Sequence, residues 1–110
     1  MKVSDIVEKL GLKAFNGVEL TDKEICGCYI GDLLSLAMSK VQKDFVWITI
    51  QTNVNIVAVA SLTECGCIII ADGFVPEEST LKKAELQEIT LLGSKLSAYE
   101  LAKGLAEMGI

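Results

Sequence analysis

The fold class of this chain is decided by residues 45–71, FVWITIQTNVNIVAVASLTECGCIIIA. Phe45 to Ile50 is almost continuously apolar and rich in aromatic and β-branched side chains, which is typical of a strand buried on both faces. Cys67 to Ala71 has the same character and predicts a second strand. About fifteen residues lie between them, which matches a parallel crossover through a helix. We therefore predict that the apolar segment Asn53 to Leu62 is a helix.

The segments before this stretch extend the alternation of helices and strands. Ser4 can cap a first helix that Gly11 ends. Strands are predicted at Leu12 to Phe15 and at Ile25 to Ile30, with a turn at Asn16-Gly17 after the first. Apolar residues at helical spacing predict a helix over Asp32 to Val41, with Asp32 at its N-terminal end.

The segments after it repeat the same unit. Pro76 is expected to open a helix with acidic residues in its first turn, and Ile89 to Leu92 is expected to form the next strand. Ser97 and Glu100 form a capping-box signature for a final helix, with Gly109 as its terminator. We therefore predict one α/β domain over residues 1–110, with three α/β/α layers around a mostly parallel sheet.

The composition excludes several classes of function. The 110 residues carry a net charge of −5, which disfavours binding to nucleic acid or to an anionic membrane. The chain has no His, and its ten basic residues are all Lys, so the common nucleophile systems and the Arg clamps for phosphate are absent. No apolar run approaches the roughly 20 residues of a membrane span. We therefore expect a cytoplasmic protein that is not an enzyme.

The four cysteines form two Cys-Gly-Cys triplets, at 26–28 and at 65–67. Four thiolates can hold zinc or an iron–sulfur cluster, but the usual ligand pairs are separated by more than one residue. Two cysteines of a triplet within a strand would have Cα atoms roughly 6.6 Å apart and would not converge on one ion without a bend. Free cysteine also packs as a small apolar side chain. We favour core packing without a cofactor, and the alternative is a metal site formed by Cys26, Cys28, Cys65 and Cys67.

Three short polar loops follow the predicted parallel strands at their carboxyl ends, where open α/β sheets bind ligands. Lys95, in the last loop, is the obvious counter-charge for an anion. Short polar residues also cap helices at such turns, so capping is the competing interpretation. The predicted ligand-binding residues are Gln51, Thr52, Asn53, Asn55, Asp72, Gly73, Ser94 and Lys95.

Four groups of residues together form a recognisable pattern: Asp22 to Ile25, Gly31 to Ser35, Trp47 to Thr52 with Asn55 to Ala60, and Ile68 to Gly73 with Pro76. In these residues the chain resembles the DRTGG domain family, over nearly its whole length. The resemblance implies a fold similar to the N-terminal, non-kinase domain of HPr kinase/phosphorylase, and a regulatory setting such as that beside CBS domains. This sequence departs from the family at Thr52-Asn53, where Asp-Arg is expected, and at Ala71-Asp72-Gly73, where Thr-Gly-Gly is expected.

These observations predict a regulatory or ligand-sensing domain that binds a nucleotide or small anion at the loops after the strands. We expect a homodimer formed through exposed apolar helix surface. Stand-alone members of the DRTGG family are often found near iron-only hydrogenase genes, so the resemblance also implies a protein partner in a regulatory or hydrogenase-related system. The alternative is a hydrogenase-associated accessory protein whose two Cys-Gly-Cys triplets hold zinc or an iron–sulfur cluster.

Overall fold

A five-stranded sheet forms the centre of the molecule in the computed structural model, which describes residues 1–16 and 23–110. The strand order is β1-β5-β4-β3-β2. The strands β2 to β5 pair in parallel, whereas β1 pairs with β5 in the antiparallel direction. The predicted mostly parallel sheet is therefore confirmed. The strands are β1 (Lys13–Ala14), β2 (Gly27–Ile30), β3 (Phe45–Thr49), β4 (Cys67–Ile70) and β5 (Leu91–Gly93).

Five helices within the described ranges cover the two faces of this sheet. They are α1 (Val3–Leu10), α2 (Leu34–Lys40), α3 (Asn55–Thr63), α4 (Glu78–Leu86) and α5 (Ala98–Glu107). The strands β2, β3, β4 and β5 advance across the sheet in one direction, so their crossover helices α2, α3 and α4 all lie on the same face. The helices α1 and α5 cover the other face. This arrangement is the predicted three-layer α/β/α architecture.

The strand β3 is the centre of the core, because both of its faces are buried. Val46 and Ile48 face α1 and α5, and Trp47 faces the three crossover helices with no exposed surface. The indole N–H of Trp47 donates a hydrogen bond to the carbonyl oxygen of Gly31 at 3.0 Å, which satisfies its one polar group. The alternation along β3 therefore supplies both halves of the hydrophobic core.

The apolar segment after β3 forms helix α3, as predicted. Its buried residues are Ile56, Val57, Val59 and Ala60, and the neighbouring helices α2 and α4 pack against it. An apolar helix needs cover on more than one side, and the sheet and these two helices provide it. The side chain of Leu62, near the end of α3, stays 72% exposed. No helix among residues 1–16 and 23–110 is long and apolar enough to cross a membrane.

Three predicted helix starts differ from the structure. The first helix begins at Val3, with Lys2 as its N-cap and the Lys2 N–H donating to the Asp5 carboxylate at 2.9 Å, so Ser4 lies inside the first turn. Asp32 lies before α2, because its carboxylate accepts hydrogen bonds from the end of β3. Pro76 lies one residue before the N-cap of α4. At the predicted Asn16-Gly17 turn, Gly17 lies outside the described residues.

The final helix has the predicted capping box. The Ser97 hydroxyl oxygen accepts from the Glu100 N–H at 3.2 Å, and the Glu100 carboxylate accepts from the Ser97 N–H at 3.1 Å. Leu101 and Leu105 on this helix are buried against the sheet. The helices α5 and α1 together cover one face of the sheet. The hydrogen bonds at the start of α5 therefore contribute to the stability of the domain.

We predict that Ser97→Ala lowers the free energy of unfolding by about 1 kcal/mol, because the N–H of Glu100 loses its acceptor. Urea unfolding followed by circular dichroism measures the change. Ser79→Ala, at an exposed serine in the first turn of α4, is the matched control and should leave the midpoint unchanged. Equal effects of the two substitutions would contradict the capping role of Ser97.

Candidate functional site

The chain leaves β4 and β5 toward opposite faces of the sheet. The loop after β4 leads to α4 on one face, and the loop after β5 leads to α5 on the other. A change of face at the carboxyl ends of adjacent parallel strands opens a crevice, and such crevices are where open α/β sheets bind ligands. The loops after β3 and β4, in contrast, both lead to the same face, so no crevice opens between them.

A pocket of about 510 Å³ lies at this crevice. This volume is within the range of small-molecule sites in proteins. One side is formed by the end of α1 and by the strand β1 with Phe15, and the other by the loops that follow β4 and β5. The lining residues are Leu10, Gly11, Lys13, Phe15, Gly73, Phe74, Val75, Gly93, Ser94, Lys95 and Leu96.

Among the residues that the structure describes, the charged side chains that line this pocket are both positive. They belong to Lys13 and Lys95, in a chain whose net charge is −5. The ammonium nitrogen of Lys13 lies 5.4 Å from the centroid of the Phe15 ring, a cation–π contact. The remaining lining is mostly apolar. The pocket therefore favours an anionic ligand that also carries an apolar part.

The two loops on one side of the pocket are joined by backbone hydrogen bonds. The Asp72 N–H donates to the Leu96 carbonyl and the Gly73 N–H to the Ser94 carbonyl, each at 2.9 Å. Gly73 has a φ of +73°, a conformation that favours glycine. A Cβ at Gly93 would collide with the Phe15 ring, so glycine is needed there for the close approach of Phe15. These features hold the pocket wall in one shape.

Of the ligand-binding residues predicted from the sequence, the structure brings Gly73, Ser94 and Lys95 into this pocket. Asp72 is exposed beside it and does not line it. Residues 51–55 lie at the end of β3, outside the pocket. A ligand-binding role for Gln51, Thr52, Asn53, Asn55 and Asp72 stays a prediction.

Two polar side chains of residues 51–55, those of Gln51 and Asn53, make hydrogen bonds within their own part of the structure. The Gln51 side-chain amide donates to the Asp32 carbonyl at 2.9 Å, and the Asn53 amide donates to the Gln51 side-chain oxygen at 2.9 Å. The Thr52 carbonyl accepts from the Thr80 hydroxyl at 2.7 Å. The Asp32 carboxylate accepts from the Thr49 hydroxyl and from the Ile50 N–H, each at 2.9 Å. This network fixes the loop between β3 and α3, and the Asn53 side-chain oxygen accepts from the Asn55 N–H at the start of α3 at 3.0 Å.

Lys13, Phe15, Phe74 and Val75 line the pocket but were not predicted as site residues. Lys13 and Phe15 reach the pocket because β1 pairs with β5, an antiparallel contact between distant parts of the chain that no local pattern reveals. Phe74 and Val75 did carry a signal. Two large apolar residues directly after the Asp72-Gly73 turn are unusual in an exposed loop, and both are exposed here.

Each Cys-Gly-Cys triplet lies across the beginning of a strand, so the two cysteines of a triplet do not both lie within one strand. Cys26 is exposed before β2, and Cys65 is buried before β4. Cys65 and Cys67 belong to core clusters on opposite faces of the sheet. Cys28 lies in register with Val46, which is in register with Cys67, so Val46 separates these two thiols.

The glycines and the burial of the cysteines both indicate packing. A Cβ at Gly27 would collide with the Phe45 ring, and one at Gly66 would collide with the Ile25 side chain. Burial raises the pKa of Cys28 to about 11 and that of Cys65 to about 12, and it also raises the pKa of Cys67. Metals bind the thiolate, which these environments disfavour. Within the part of the chain that the structure describes, no three metal-ligating side chains are grouped to hold an ion.

We predict that, in the native protein at pH 8, iodoacetamide alkylates Cys26 first and leaves Cys65 and Cys67 unmodified, because only exposed thiols meet the reagent. Mass spectrometry of digested samples over time measures the order. In urea all four cysteines should react at similar rates. Native labelling of Cys67 as fast as that of Cys26 would contradict the core-packing interpretation.

Comparisons with known proteins identify the fold. No family model and no curated protein matches this sequence. A solved structure does match, with a TM-score of 0.71 and 13% sequence identity, over 93% of this chain and 44% of that chain. It is the crystal structure of the CBS and DRTGG domains of the regulatory region of Clostridium perfringens pyrophosphatase, complexed with its activator, diadenosine tetraphosphate. The chain therefore has a DRTGG-like α/β fold, and this match confirms the resemblance seen in the sequence. The chain spans less than half of the length of that regulatory region.

Proposed function

We propose that this protein is a regulatory domain that senses a small ligand, a nucleotide or small anion, in the pocket at the ends of β4 and β5. The observation that carries the proposal is the pocket itself. The pocket has a volume of about 510 Å³ and lies where the chain passes from one face of the sheet to the other. Among the described residues that line it, the charged ones are Lys13 and Lys95. The structural neighbour, a pyrophosphatase regulatory region with a nucleotide activator, supports a regulatory role.

The chemistry of the pocket supports binding without catalysis. Ser94 is the hydroxyl among the lining residues, and its oxygen accepts the Leu96 N–H at 3.0 Å. A serine nucleophile needs a base within hydrogen-bonding distance, and among the described residues neither Lys13 nor Lys95 is hydrogen-bonded to the Ser94 hydroxyl, while the chain has no His. Within the described part of the chain, the lining also contains no Asp or Glu that could act as a general acid or base. We therefore propose that the protein is not an enzyme.

We also propose that the protein forms a homodimer through apolar surface on α2 and next to it. Of the apolar residues whose spacing predicted the helix over Asp32 to Val41, only Ala37 and Val41 are buried. Leu33 and Met38 are exposed. The strand β2 lies at the edge of the sheet beside this surface. Exposed apolar patches and unpaired strand edges are features of association surfaces.

We further propose a cytoplasmic location and a protein partner. The four cysteines are free, as expected in a reducing compartment, and this supports a cytoplasmic location. A protein partner in a regulatory or hydrogenase-related system rests on the family resemblance. The alternative role, a metal-binding accessory protein for hydrogenase, gains no support from the placement of the four cysteines.

We predict that at least one compound in a panel of nucleotides, inorganic phosphate and small carboxylates stabilises the protein. A ligand at 100 times its Kd adds about 2.7 kcal/mol, a rise in Tm of about 10 °C for a domain of this size. Differential scanning fluorimetry measures the rise. The double substitution K13E/K95E should abolish it, because both positive charges that line the pocket are reversed.

The control is K83E/K103E, which changes the net charge by the same amount at exposed lysines of α4 and α5 that do not line the pocket. This variant should retain the stabilisation. If no compound raises the Tm, or if both double variants lose the effect equally, the pocket is not the sensing site and the proposed function fails.

A further inference from the structure

We infer that the ligand of this pocket is a planar aromatic ring joined to an anionic group, the chemistry of a nucleoside monophosphate. The ring lies against Phe74, and the anion lies at Lys95. This inference rests on the proposed function and makes the ligand class specific. It requires both parts of the ligand to be present in one molecule.

The size of the pocket separates this ligand from a bare anion. The pocket holds about 510 Å³, whereas a phosphate ion occupies the space of only a few water molecules, at about 30 Å³ each. An inorganic anion bound at either lysine would leave most of the apolar lining in contact with water. A nucleoside monophosphate, with about twenty non-hydrogen atoms, is large enough to cover that lining.

Phe74 is the aromatic side chain that a planar ring can reach. It is 49% exposed, and the adjacent Val75 is 66% exposed, so a continuous apolar surface borders the pocket. Phe15, the other aromatic residue of the lining, already has two partners, the backbone of Gly93 and the ammonium group of Lys13. Stacking of a base on Phe74 would bury this exposed surface.

The donors in the loops after β4 and β5 define the place of the anion. The backbone N–H groups of Asp72, Gly73, Ser94 and Leu96 all donate within the protein. Among the described residues, the N–H groups of Val75 and Lys95 donate to no protein acceptor. The Lys95 ammonium group also makes no ion pair within that part of the chain. Lys95 therefore offers both a charge and a backbone donor, and Lys13 supplies a second charge across the pocket.

Four probes test the inference on the intact protein: adenosine 5′-monophosphate, adenosine, inorganic phosphate and glycerol 3-phosphate. We expect isothermal titration to show binding of the monophosphate at least about tenfold tighter than that of the other three, because each lacks the ring or the anion. Phe74→Ala should weaken monophosphate binding at least about tenfold, and Phe74→Leu should weaken it less. Tyr99→Ala, which removes an exposed aromatic residue outside the pocket, is the control and should leave affinity unchanged.

The outcomes separate this inference from the proposed function. If glycerol 3-phosphate or inorganic phosphate binds as tightly as the monophosphate, or if Phe74→Ala has no effect, the ring is not recognised and this inference is overturned while the sensing role stands. If adenosine binds equally well, the anion is not recognised and the inference is likewise overturned. If none of the four probes binds, this inference fails, and the Tm panel with K13E/K95E decides whether the proposed function fails too.

Discussion

The crossovers from β2 through β5 all turn in the same sense, and the rest of the structure depends on this constraint. A parallel connection between neighbouring strands is right-handed, so three successive connections in one direction place α2, α3 and α4 together on one face of the sheet. The opposite face would then be open to water. The helices α1 and α5, from the two ends of the described chain, cover it with Val3, Ile6, Leu101 and Leu105. The change of face between α4 and α5 follows from this requirement, and so does the crevice beside β4 and β5.

Much of the fold was predictable from the sequence because the decisive residues carry local signals. The strands β3 and β4 are runs of buried apolar residues, α3 is fixed by the length of the crossover between them, and α5 begins at a capping box that the structure retains. The errors lie where a distant contact overrides a local preference. Asp32 is of a residue type that commonly caps helices. Its carboxylate instead accepts hydrogen bonds from the Thr49 hydroxyl and the Ile50 N–H, and α2 begins two residues later.

The candidate site was predictable only in part, for a related reason. Gly73, Ser94 and Lys95 follow strands whose carboxyl ends could be recognised, and they line the pocket. The loop at residues 51–55 has a similar composition, but it lies where two successive helices share a face. The other wall comes from α1 and β1, whose position depends on the pairing of Lys13 with Gly93. The Cys-Gly-Cys triplets are the opposite case, because a conspicuous sequence pattern has a packing role in the structure. Their glycines leave space for the side chains of Phe45 and Ile25.

The pairing of β1 with β5 also determines when the pocket can exist. Lys13 and Gly93 are partners in the sheet although 80 positions separate them in the sequence. Contacts between such distant residues close a long loop, which costs more conformational entropy than contacts within one crossover unit. During synthesis, the strands β2 to β4 can associate before β5 has been made, but the wall that carries Lys13 and Phe15 cannot. A ligand in this pocket would therefore bind only to chains in which β1 has already paired with β5.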